Sequence, residues 1–262
     1  MTSNRAEIIA ISNQKGGVGK TSTANALAAR LHNLGKSVLA IDMDPQGNLS
    51  ASINADYDSG TILDVMRGKV PAKEAVQHKE PFDIIPANIL LAGYEQELIS
   101  SNFGRDIRLK KGIAPLLSEY EYIIIDTAPS LGMLTINSLV AADQVIVPAT
   151  AEYFATKGLE DFVDTIRNVQ EYCGNPYLRI AGILFTLVDT RTINGQAIRA
   201  ATDEYAKSIG TKTYKIVIRK AIAMGESQTN RMDIFSYSPK STVARDYAAF
   251  VDEFLADRDR SE

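Results

Sequence analysis

Seven residues near the start of the chain, Lys15-Gly16-Gly17-Val18-Gly19-Lys20-Thr21, combine three glycines with two cations and a hydroxyl. Glycines let a backbone turn tightly with its N–H groups converging, and a helix N-terminus behind them adds partial positive charge, so the stretch suits an anionic phosphate. Lys20 would reach the β- and γ-phosphates as a point charge, and the Thr21 hydroxyl is placed to ligate a Mg²⁺ that bridges them. Ser22 completes the candidate phosphate site. The strict pattern G-x-x-x-x-G-K-[ST] is not met, because position 14 is Gln14 and a second lysine, Lys15, opens the loop. The competing reading is a glycine-rich turn without a ligand.

Such a loop needs a strand before it and a helix after it. Ile8-Ile9-Ala10-Ile11 reads as a buried strand, and Ala24, Leu27, Ala28, Leu31 and Leu34 recur at helical spacing until Gly35. A second strand, residues 37–41, runs into Asp42 and Asp44, and a third, Tyr122-Ile123-Ile124-Ile125, ends in Asp126. Ligands of open α/β sheets bind at such carboxyl ends. Asp83-Ile84-Ile85 and Gln144–Pro148 read as further strands, followed by a helix near 157–172, a strand at 179–187, a helix near 194–209 and a strand at 213–218. Apolar strands alternating with helices predict an α/β fold, a mainly parallel twisted sheet with helices on both faces. Residues 1–262 are expected to form one domain, with no helix-turn-helix extension before the loop.

Composition excludes several classes of function. A single cysteine, Cys173, allows neither an intrachain disulfide nor a cysteine-built cluster within one subunit. No apolar run approaches the roughly 20 residues of a membrane span, and the N-terminus lacks a signal-peptide core, so a cytoplasmic protein is expected. Net charge is −4, yet residues 191–250 carry ten Lys/Arg against five Asp/Glu, which concentrates positive charge in the last third.

Five blocks in order carry a resemblance: the loop, Asp42-Met43-Asp44-Pro45-Gln46-Gly47-Asn48, Ile125-Asp126-Thr127-Ala128-Pro129-Ser130-Leu131-Gly132, Glu152-Tyr153-Phe154-Ala155 and Tyr237-Ser238-Pro239-Lys240-Ser241. Together they resemble the deviant-Walker P-loop ATPases, and within them the ParA/Soj partition proteins, nearly from end to end. The resemblance implies an ATP- and Mg²⁺-dependent ATPase with Thr21, Asp42 and Asp126 around the metal and Asp44 orienting the attacking water. It implies that Lys15 reaches across a homodimer bridged by ATP to neutralise charge on the partner's nucleotide, so that Lys15, Lys20 and Asp44 form the catalytic set. Residues Pro45, Gln46, Gly47 and Asn48 with Thr127, Ala128 and Pro129 would be the switch segments. Read locally, Asp42 and Asp44 could equally be a turn pair before Pro-Gln-Gly-Asn.

The resemblance further implies nonspecific DNA binding through Arg191, Arg219, Lys220 and Lys240, a ParB-like centromere-binding partner and nucleoid association. The charge pattern extends that set to a stripe with Lys207, Lys212, Lys215 and Arg245; a solvated face is the alternative. A MinD-like membrane-cycling ATPase is the rival. It would need a basic amphipathic C-terminal helix, whereas here Val243, Tyr247, Phe250, Val251, Phe254 and Leu255 form a core-like stripe before an acidic tail.

Overall fold

A computed structural model describes residues 5–150, 157–189 and 195–259. The chain begins with β1 (Glu7–Ile11), the glycine loop and α1 (Lys20–Asn33), then β2 (Val38–Met43) and α2 (Asn48–Ser52). Next come α3 (Ile62–Met66), α4 (Ala72–Ala75), β3 (Asp83–Ile85), α5 (Leu90–Ser100) and α6 (Arg108–Ile113), followed by β4 (Tyr122–Thr127), α7 (Met133–Ala141) and β5 (Gln144–Ala149). After α8 (Lys157–Tyr172) follow β6 (Arg179–Phe185), α9 (Gly195–Ser208), α10 (Ile222–Thr229), α11 (Ile234–Tyr237) and α12 (Thr242–Asp259).

Among the described residues six parallel strands lie in the order β3-β2-β4-β1-β5-β6. Side chains alternate across each strand, so both faces must be covered. Ile8 and Ala10 of β1 with Ile123 and Ile125 of β4 pack towards the helices from α3 to α8. Ile9, Ile11, Tyr122 and Ile124 pack towards α1 and α12 instead. The α12 stripe is core: Val243, Tyr247, Phe250, Val251 and Phe254 are buried there, Leu255 half-buried, and the Tyr247 hydroxyl lies 3.2 Å from that of Thr23 on α1. No helix among the described residues is long and apolar enough to cross a membrane.

One predicted strand is absent. Residues 213–218 run beside β6 but form only isolated bridges, Ile183 with Thr213 and Val188 with Arg219. The amides of Lys215 and Ile216 instead donate to the carboxylate of Glu253 on α12, at 2.8 and 3.0 Å. A side chain from another element has taken donors that a strand ladder would use.

Candidate functional site

The loop after β1 is held by side chains outside the glycine pattern. Asn13 Nδ2 donates to the Pro148 carbonyl at 2.7 Å, and its Oδ1 accepts from Lys15 N at 3.0 Å. On the far side, buried Thr186 donates from Oγ1 to the Val18 carbonyl at 2.7 Å, which ties the loop to the end of β6. Gly17 and Gly19 take positive φ of 72° and 81°, a region costly for residues with a Cβ. Gly16 does not share that requirement; a Cβ there would meet Pro129 Cβ at an ordinary 3.8 Å. The loop then opens α1 at Lys20.

Lys20 is buried, and its Nζ donates to the Lys15 carbonyl at 3.0 Å. Burial lowers its pKa, opposed by the charges of Asp126 and then Asp44. The loop lines a cavity of about 530 Å³ together with Thr21, Ser22, Asp44, Gln46, Asn48 and Pro129. Gln228 on α10 closes one side, donating from Nε2 to Ser22 Oγ at 2.9 Å.

Asp42 and Asp126 are register partners on adjacent strands, fully buried on the α1 side of the sheet. Their environments differ. Asp42 accepts three hydrogen bonds: Oδ1 accepts from Asp44 N at 3.0 Å, while Oδ2 accepts from Ser50 N at 2.8 Å and Ser50 Oγ at 2.7 Å. Burial nevertheless raises its pKa to about 6 against those hydrogen bonds. Apart from the Thr21 hydroxyl that faces it, the Asp126 carboxylate has no protein hydrogen-bond donor. Burial lifts its pKa well above the carboxylate range, the charge of Asp42 adds to this, and the Thr21 hydroxyl and Lys20 oppose it. Two buried oxygens facing a hydroxyl and an ammonium fit a cation, since an isolated buried carboxylate is costly. Asp42 also holds the turn that carries Asp44, through the Asp44 amide.

Asp44 sits at the cavity wall with Oδ1 accepting from Gln46 N at 2.9 Å, so Pro45 and Gln46 form a side-chain-supported turn. Gly47 has φ 63°, and a Cβ there would stand 3.0 Å from the Ala87 carbonyl. Opposite, the Thr127 hydroxyl donates to the Ile11 carbonyl at 3.0 Å, and Ala128 is buried beside it. Both predicted switch segments therefore touch the cavity or the loop.

The run 211–220 passes along β6 from its amino half to beyond its carboxyl end, so Lys212 and Lys220 lie towards opposite ends of that strand. Lys212 pairs with Asp257. Arg219 is held by Asp246 through two hydrogen bonds, Nε to Oδ2 at 2.9 Å and Nη2 to Oδ1 at 2.6 Å. Lys207, Lys215, Lys220, Lys240 and Arg245 are exposed, and Arg191 lies outside the described residues, as does the block at 152–155. Asn13, Ser50, Thr186 and Gln228 escape the motif reading. Of these only Asn13 has a local signal, the Asx bond to a residue two positions on.

Known proteins resemble this chain in sequence and fold. A protein-family model described as an AAA domain matches residues 6–180. The chain is 38% identical over 262 residues to the sporulation initiation inhibitor protein Soj of Bacillus subtilis (strain 168), covering 95% of this chain and 98% of that one. It is 36% identical over 267 residues to the chromosome partitioning protein ParA of Caulobacter vibrioides (strain NA1000 / CB15N), covering 99% and 98%. Among solved structures, a protein named cobyrinic acid a,c-diamide synthase from Mycobacterium smegmatis, with bound ATP analogue and magnesium, matches with a TM-score of 0.82 and 34% identity over 98% of this chain and 97% of that one.

Proposed function

The chain belongs to the ParA/Soj family of P-loop ATPases, and from that premise we propose that it binds Mg²⁺-ATP in the cavity beside α1 and hydrolyses it to time a cycle of DNA partition. The observation that carries the nucleotide site is Asp126: a fully buried carboxylate that faces the Thr21 hydroxyl and the Lys20 ammonium and is otherwise without a protein donor. Thr21 and Asp126 would hold the metal, which supplies neutralisation of phosphate charge. Lys20 leaves the Lys15 carbonyl to meet the γ-phosphate. Asp44, held at the wall by its own turn, orients the water, and Asp42 acts one step back by fixing that turn.

In this reading ATP bridges two subunits, with Lys15 of each acting on the other's nucleotide in the manner of an arginine finger supplied in trans. The dimer binds DNA without sequence preference, a ParB-like protein stimulates turnover, and the protein works on the nucleoid in the cytoplasm. The similarity over 95–99% of this chain to proteins named for chromosome partitioning supports this over the MinD-like alternative, and so does the burial of the α12 stripe. The test is single-turnover hydrolysis, without any acceptor molecule, by wild type and Asp44→Ala. The variant should retain ATP and sediment as a persistent dimer while losing turnover. Wild-type turnover in Asp44→Ala would remove Asp44 from the chemistry.

A further inference from the structure

The second switch segment ends at α7, and α7 begins poorly. Its N-cap is Gly132, no side chain of its own caps it, and no acidic residue lies in its first turn. Its free amides are served from another helix: Glu95 of α5 accepts from Leu134 N with Oε1 at 3.3 Å, across 39 residues. Gly132 makes that approach possible. A Cβ there would lie 2.0 Å from Glu95 Oε1 and 2.9 Å from its Cδ. The φ of Gly132 is −80°, which any residue adopts, so its backbone does not demand glycine; a Cβ there would instead displace the Glu95 carboxylate from its seat.

The stretch leading into α5 touches the first switch segment and the helix that follows it. Ala87, three residues before α5, donates from its amide to Ser50 Oγ at 3.0 Å, and Ser50 Oγ donates to Asp42. The Ala87 carbonyl is the atom against which Gly47 packs. At the α7 end, Pro129 lines the nucleotide cavity and lies where a Cβ on Gly16 would touch it. α5 is thus joined to both segments that face the phosphate cavity, through Ser50 on one side and Glu95 on the other.

We propose that Glu95 is a positioning residue: its carboxylate, seated over Gly132 on the first turn of α7, fixes the segment carrying Pro129 relative to α5, so that the two cavity-facing segments move together when nucleotide binds. The inference rests on the ATPase reading above and assigns no contact between Glu95 and the nucleotide. A bare structural cap would change stability alone. A positioning role changes turnover more than binding, because a small misplacement of groups around a reacting centre costs rate.

Three variants separate these cases. Glu95→Ala removes the acceptor. Gly132→Ala leaves Glu95 intact but displaces its carboxylate. Glu95→Gln keeps an acceptor oxygen and tests rescue. Expected for Glu95→Ala and Gly132→Ala are a Kd for Mg²⁺-ATP within about twofold of wild type and single-turnover hydrolysis lower by about tenfold, with Glu95→Gln between them and wild type. Hydrogen exchange should show the amides of 133–136 opening faster in both variants, and Mg²⁺-ATP should no longer slow exchange in 87–95, as it should in wild type. Wild-type turnover in both variants overturns the proposal, and so does a nucleotide response of 87–95 that survives Glu95→Ala. If wild type itself binds but does not hydrolyse ATP, the proposed activity fails while the exchange response of 87–95 still decides the role of Glu95.

Discussion

Replacing Thr186 by valine tests whether the phosphate loop depends on a clamp from the far strand. Threonine and valine share shape and branching, so packing at this buried position is kept and only the hydroxyl is lost. The Ala149 carbonyl keeps the Thr186 amide at 2.9 Å as its donor, whereas the Val18 carbonyl, on a fully buried residue, loses the hydroxyl at 2.7 Å. One buried acceptor left without that donor costs about 1–3 kcal/mol. For a chain of this size that corresponds to a thermal midpoint lower by roughly 2–6 °C. The loop is also no longer held before the ligand arrives, so binding must supply the ordering, and the Kd for Mg²⁺-ATP should rise by about tenfold. Differential scanning fluorimetry and titration with a fluorescent ATP analogue measure the two quantities, with Thr186→Ser as the control that keeps the donor. A lower midpoint with unchanged Kd would confine Thr186 to the fold. No change in either would refute the clamp.

Two further outcomes follow from the site. Lys15→Gln should bind Mg²⁺-ATP nearly as wild type but remain monomeric by light scattering; dimers at wild-type concentrations would end the cross-subunit role. DNA binding to random duplex, read by fluorescence anisotropy across a salt series, should require ATP and show a log–log slope of roughly −5 if each subunit neutralises about three phosphates. Lys220→Ala should make it shallower by roughly two. Arg219→Ala should change it little, because Asp246 already holds that guanidinium, and a large change would show that DNA displaces Asp246.

The strands were legible because parallel strands covered on both faces read as unbroken apolar runs, as Tyr122–Ile125 does. The phosphate loop was legible because its constraint is local: two backbone positions needing positive φ, followed at once by a helix start. Residues 213–218 have a strand-like composition, and only the reach of Glu253 from α12 shows why they do not pair as one. The charge count of 191–250 likewise found real cations but not their separation. Their spread follows from a chain running the length of β6, which a sum over sequence cannot register.

The aspartates show where local reading ends. Asp42 and Asp126 both close apolar strands, both face α1, and both are fully buried in register with one another. By type, position and depth they are equivalent, and sequence reasoning gave both to the metal. What separates them is Ser50, eight residues beyond Asp42, whose amide and hydroxyl both donate to its Oδ2. A carboxylate already accepting three protein hydrogen bonds has its charge spread over donors that folding supplied; one facing only the Thr21 hydroxyl keeps most of that charge for a ligand, at the cost of a raised pKa. The division of labour between two like residues is set by what neighbouring segments offer each of them. The same logic makes Ser50 a junction, since its hydroxyl serves Asp42 and the amide of Ala87, three residues before α5, together.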